Sequence, residues 1–126
     1  MGLTIPAKEL EMCRQLVMPG FAALSLTNDL YSWEKERDSA KSDGLPNVVN
    51  AIWVIMEENS IGEDMAKEIC RRKIKEYVAV YRRTVAASMT DVTLSKDLRL
   101  YVEAIMYSIS GNLVWSKYCP RYNKVC

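Results

Sequence analysis

The stretch Asn28-Asp29-Leu30-Tyr31-Ser32-Trp33-Glu34-Lys35-Glu36 sets an amide, a hydroxyl and a carboxylate at i, i+4 and i+8. On a helix each step of four residues turns the side chain by only about 40°, so Asn28, Ser32 and Glu36 project from one face over about three turns. Taken alone, such a polar row is more often a solvated helix face, where most charged residues end up. The neighbours argue otherwise: Leu24, Leu26, Leu30, Tyr31 and Trp33 surround the row with apolar bulk, so the segment is expected to be largely buried. Buried polar groups need partners. A hard divalent cation suits this set, because Mg²⁺ takes oxygen ligands, accepts neutral ones and keeps positions open for water or a phosphate oxygen. Lys35, beside the last carboxylate, is placed to reach a phosphate bound to that metal.

The rest of the composition narrows the class. The chain has 126 residues, a formal charge of +1 and 49% apolar residues, which fits one globular domain of modest size or part of a larger one. The balanced charge gives no support for nucleic-acid binding. No apolar run approaches the ~20 residues needed to span a bilayer. The first residues carry no basic stretch followed by an apolar one, and Pro6 stands where a myristoylation motif wants Ser or Thr. Cys13, Cys70, Cys119 and Cys126 are scattered and histidine is absent. That pattern speaks against a zinc site or a disulfide framework and for reduced thiols in a cytoplasmic protein.

Helical punctuation recurs along the chain, with no alternating strand pattern and no internal repeat. Thr4, Pro6 and Glu9 open a long helix over about residues 6–39. Pro19-Gly20 is expected to kink or split it, and Asp43-Gly44-Leu45-Pro46 to end it in a turn. Val48, Val49, Ile52, Ile55 and Met56 predict a second helix over about residues 47–58. Ser60-Ile61-Gly62-Glu63 fits a capping box that opens a third, running to about residue 88. Its apolar stripe is Met65, Ile69, Ile74, Tyr77, Val78 and Tyr81. Arg71, Arg72, Lys73, Lys75, Arg82 and Arg83, interleaved with acids, make a charged solvent face rather than an anion site. The last helix covers about residues 95–118 and ends at Pro120. Gly111 inside it points to close packing or a local bend. The fold class is all-α.

The Asn28, Ser32 and Glu36 triad, with a basic residue before the glutamate, resembles the second metal-binding motif of class I terpene synthases. Arg121-Tyr122 resembles the Arg-Tyr pair that this family carries downstream, whose side chains hydrogen-bond a substrate diphosphate. An arginine fork matches phosphate oxygens well. From Met1 to Tyr122 the chain looks most like the C-terminal third of the cyclase domain in fungal chimeric di- and sesterterpene synthases. The resemblance implies the C-terminal helices of the class I terpenoid synthase fold, with residues 1–126 as one incomplete domain and no second domain. It implies Mg²⁺ at Asn28, Ser32 and Glu36, diphosphate binding by Lys35, Arg121 and Tyr122, and Trp115 as an aromatic wall of the pocket. A π face there stabilises a passing carbocation, although Trp33 and Trp53, and Trp115 as well, also read simply as core. The implied reaction ionises an isoprenoid diphosphate, geranylgeranyl or geranylfarnesyl diphosphate, and cyclises the cation.

Two parts of the family pattern are missing. Asp29, Asp38, Asp43, Asp64, Asp91 and Asp97 never cluster, so no Asp-rich first metal motif is present, and neither is the upstream diphosphate-sensing arginine. The expectation is a fragment that needs N-terminal cyclase helices and is inactive alone. The alternatives are a catalytically dead helical fragment acting as an interaction module or relic, and a plain helical bundle with a decayed motif.

Overall fold

A computed structural model of the chain describes residues 2–119. A 3₁₀ turn at Ala7–Glu9 leads into α1 (Leu10–Ser42), followed by α2 (Ala51–Asn59), α3 (Glu63–Thr90) and α4 (Lys96–Tyr118). No strand occurs among the described residues. The fold is all-α, and α1 is the element against which the others pack.

Local signals account for several helix ends. Gly44 sits at φ +67, the Leu45 N–H donates to the Ala40 carbonyl and the Gly44 N–H to the Lys41 carbonyl. This is the Schellman arrangement in which a left-handed residue stops a helix. Ser95 caps α4 by accepting from the Leu98 N–H at 3.2 Å, as a serine before a helix does. Glu9 accepts from the Ser95 N–H at 3.0 Å and Asp97 from the Thr4 N–H at 3.0 Å, which ties the start of the chain to the start of α4.

Several expectations need correction, three of them at helix ends and glycines. The second helix starts at Ala51, not Asn47, because Asn50 is extended (φ −159, ψ 141) and serves as its N-cap. Ser60 is not the N-cap of α3: it lies in the left-handed region (φ 52) at the end of α2, and Gly62 precedes α3. The Glu63 carboxylate is instead engaged by Arg37, whose Nη1 donates to both oxygens at 2.9 Å. That pairing holds the Glu63 carboxyl below its ordinary value, with the nearby Trp33 indole adding to the effect. Third, nothing lies within 4 Å of a Cβ placed at Gly111, so close packing does not explain that glycine.

Two cores flank α1. The first joins Cys13, Val17 and Ala23 of α1 to Tyr81 of α3 and to Leu94, Leu98, Val102, Ile105 and Ile109. The second joins Trp33 to Ile52 and Ile55 of α2 and to Ala66 and Cys70 of α3, with Trp53 packed at its edge. The buried line of α3 therefore runs through Ala66, Cys70, Tyr81 and Ser88, while Met65 and Tyr77 of the expected stripe are exposed. The basic residues of α3 from Arg71 to Arg83 face solvent, as their pattern implied.

The Pro19-Gly20 interruption neither splits α1 nor ends it. Gly20 is buried at the crossing with α3 and α4: a Cβ there meets Ile105 Cγ2 at 2.9 Å and the Tyr81 ring at 3.0 Å. Neither neighbour yields easily, because both are buried and the Tyr81 hydroxyl is tied to the Val102 carbonyl at 2.6 Å. Gly20→Ala should therefore destabilise the chain by about 1–2 kcal/mol, overpacking outweighing the gain in helix propensity. Gly111→Ala, into open space, should stabilise it by up to about 1 kcal/mol. Denaturant unfolding of the two variants checks both signs; a higher midpoint for Gly20→Ala contradicts the packing account.

Candidate metal and diphosphate site

The triad lies where α1 passes from one core to the other, since Leu24 packs against the first and Leu26 and Leu30 against the second. The three side chains do not share one environment. Ser32 is buried (3% exposed), Glu36 is half-buried and Asn28 is exposed. The expectation of a largely buried segment holds for Ser32 and Trp33 and not for Asn28, Glu34 or Lys35.

Ser32 and Glu36 are already together. The Ser32 hydroxyl donates to Glu36 Oε1 at 3.0 Å. Neighbouring oxygens around an octahedral Mg²⁺ with bonds of 2.0–2.1 Å are about 2.9 Å apart, so this pair has the separation of two adjacent ligands. Among the described residues no three His, Cys, Asp or Glu side chains gather as a metal cluster. The triad is a different donor set, one carboxylate with two neutral oxygens, and its hard oxygens fit a hard cation that completes its shell elsewhere.

Asn28 stands at a groove of about 620 Å³ between α1 and α4, lined by Phe21, Leu24 and Ser25 on one side and by Ser108 and Asn112 on the other. Glu36 and the exposed Lys35 line a second hollow of about 380 Å³, closed by Leu45, Asn47, Val48 and Val49. The row thus runs from a groove in which Phe21 and Leu24 stand beside Ser25, Ser108 and Asn112 to a hollow lined by Lys35, Glu36 and Asp43. Trp115, on α4, is 50% exposed and does not belong to the core. Arg121 and Tyr122 lie outside the described residues.

Sequence reasoning missed two residues of this neighbourhood. Asn50 is buried (4% exposed). Its Nδ2 donates to Glu36 Oε2 at 2.8 Å and to the Asp29 carbonyl at 2.9 Å, and its Oδ1 accepts from the Ile52 N–H at 2.8 Å. Asp29 Oδ2 accepts from the Ala51 N–H at 2.9 Å. The carboxylate inside the motif is therefore spent on the start of α2. An asparagine just before an apolar helical run was the available signal, since Asn is a preferred N-cap.

Burial pushes the Asp29 carboxyl above its ordinary value; the Ala51 N–H opposes this and the negative charge of Glu36 adds to it. A raised folded value means that Asp29 favours the fold below its unfolded value of about 3.8 and that this contribution is lost as pH rises through the folded one. Asp29→Asn keeps an acceptor for the Ala51 N–H and removes the charge. Thermal melts should show the wild type losing stability relative to Asp29→Asn as pH rises from about 3.5 to about 7. A gap that widens in the opposite direction contradicts the assignment.

Comparison with known proteins places the chain in a family. A family model described as terpene synthase family 2, C-terminal metal binding, matches residues 1–94. The chain is 52% identical over 123 residues to fusicoccadiene synthase of Phomopsis amygdali, covering 98% of this chain and 17% of that protein. It is 48% identical over 123 residues to a bifunctional type I diterpene synthase of Aspergillus flavipes, covering 98% and 16%. It is 45% identical over 121 residues to a bifunctional sesterterpene synthase of Aspergillus aculeatus, covering 96% and 17%. The chain therefore spans about a sixth of the length of these relatives. An all-α chain with a metal-binding family match over most of its residues, carrying Asn28, Ser32 and Glu36 in register, belongs to the terpene synthase family.

Proposed function

We propose that this chain supplies one wall of a class I terpene cyclase site, in which Asn28, Ser32 and Glu36 hold a Mg²⁺ ion against the diphosphate of a linear isoprenoid. The observation that carries the reading is the Ser32–Glu36 oxygen pair at 3.0 Å, on the helix that the metal-binding family model covers. The relatives are named as diterpene and sesterterpene synthases, which supports geranylgeranyl or geranylfarnesyl diphosphate as substrate. When bound, the metal neutralises the charge that develops on the diphosphate as the allylic carbon–oxygen bond breaks.

The chain's own residues do the rest. Glu36 brings the one negative charge of the triad, and Ser32 and Asn28 bring neutral oxygens that orient without adding charge. Lys35, exposed next to Glu36, supplies a cation for a phosphate oxygen. Arg121 and Tyr122 are assigned to the same diphosphate on their sequence pattern. In the groove, Phe21 and Leu24 bring apolar surface to a cavity that further helices would close against water around a carbocation, and Trp115 on α4 offers a π face.

Ionisation needs donors and metals on both sides of the leaving group, and this chain carries one side. The carboxylates for the other metals belong, in this reading, to further helices of a longer cyclase. Exposed apolar residues of α4, among them Leu113, Val114 and Tyr118, supply a surface for those helices, because contiguous exposed apolar patches mark a partner. Among the described residues no helix is long and apolar enough to cross a membrane. Cys13 and Cys70 are buried free thiols, and burial pushes the Cys70 thiol up to about 11. Unreactive, unpaired thiols support a reducing compartment such as the cytoplasm.

The lone chain should form no cyclic product from either diphosphate and should bind Mg²⁺ no tighter than about millimolar without diphosphate, given how reluctantly this ion dehydrates. Joined in one polypeptide to the N-terminal cyclase helices of a relative, it should turn over. There Glu36→Ala and Arg121→Ala should each lower turnover by roughly 10²–10³, with Glu36→Ala also changing the Mg²⁺ dependence. Product analysis by gas chromatography checks this. Product from the lone chain, or a fully active Glu36→Ala enzyme, refutes the site assignment.

A further inference from the structure

Asn50 does more than an N-cap requires. Capping α2 uses only its Oδ1, which takes the Ile52 N–H at 2.8 Å. With that acceptor committed, the amide cannot flip, so its NH₂ must point the other way. There it meets Glu36 Oε2 at 2.8 Å and the Asp29 carbonyl at 2.9 Å. Ser32 holds the second carboxylate oxygen at 3.0 Å. Both oxygens of Glu36 are thus tied, one from its own helix and one from α2, and the plane of a side chain with three free torsions is fixed.

We propose that Asn50 is a positioning residue for Glu36, setting the carboxylate for a divalent cation carried by a diphosphate; the inference rests on the metal reading above. The chemistry of the residue supports this. A lysine or arginine in its place would pair with Glu36 and discharge it, whereas a neutral amide orients the carboxylate and leaves its charge for the cation. Each oxygen keeps a further lone pair, since a carboxylate has about four acceptor sites. Partners that orient a ligating side chain commonly matter 10–100-fold in metal affinity. The Asp29 contact to the Ala51 N–H locks the α2 terminus, so the position of Asn50 is itself held from α1.

Two substitutions separate positioning from capping. Asn, Asp and Ser are about equally good N-caps, so a residue that only caps tolerates both. Asn50→Ser keeps a short acceptor and loses the donor to Glu36. Asn50→Asp keeps the acceptor and turns an oxygen toward Glu36 Oε2. Binding of Mn²⁺ with inorganic diphosphate to the 126-residue chain, followed by electron paramagnetic resonance, is the readout, with thermal melts beside it. Glu36→Gln should weaken binding, and both Asn50 variants should weaken it about 10-fold at temperatures where the melts show each variant folded. Wild-type binding by both Asn50 variants alongside weakened Glu36→Gln overturns the positioning role and leaves the metal site standing. Equal binding by wild type and Glu36→Gln overturns the metal reading and the positioning role together.

Discussion

A buried amide must place all of its polar atoms, and Asn50 does so by joining two helices and a carboxylate in one network. Leaving one of those groups unpaired costs about 1–3 kcal/mol, comparable to a large share of the stability of a small domain. The start of α2 is therefore not free to slide along α1: Asn50 and Ala51 read the Asp29 carbonyl, the Asp29 carboxylate and Glu36 at once. The same bonds that locate a helix also orient the one charged member of the triad, so fold and site share their hydrogen bonds.

The long first helix makes this possible. At about 1.5 Å per residue, Leu10–Ser42 runs close to 50 Å, enough to serve two cores in succession. Its N-terminal half is fixed by the crossing at Gly20 against Tyr81 and Ile105. Its C-terminal half is fixed by Trp33 within the second core and by the Arg37–Glu63 pair. The triad runs past Trp33 between the Gly20 crossing and Arg37, where polar side chains meet a groove on the α4 side and a hollow under residues 45–49. A rigid element with anchored ends is what a metal face needs, since ligating side chains must be held closely to be of use.

What was legible in the sequence was what depends on neighbours along the chain. The all-α class, the Gly44 stop and the solvent face of α3 are short-range matters of periodicity and turn chemistry, and the triad's register and family resemblance are too. What was not legible depends on contacts across the fold. Glu63 looked like half of a capping box because nothing nearby in sequence reveals that Arg37 takes its carboxylate. Gly20 looked like a helix breaker because Tyr81 and Ile105, which require its small size, lie far along the chain. Gly111 read as a sign of close packing or a local bend, and it faces open space. Asn50 was read as the interior of a helix, since its partners Asp29 and Glu36 belong to another element.

The central claim is that one cation sits between Asn28, Ser32 and Glu36, with Asp29 excluded by its bond to α2. Anomalous diffraction from crystals of the chain grown with Mn²⁺ and inorganic diphosphate tests it most directly. The account predicts a peak about 2.1 Å from the Ser32 hydroxyl and the Glu36 carboxylate, with the Asn28 side-chain oxygen turned in from the groove and Asn50 still bonded to Glu36. A peak on Asp29, or an ion and diphosphate seated on the basic face of α3 with the triad bare, would contradict it.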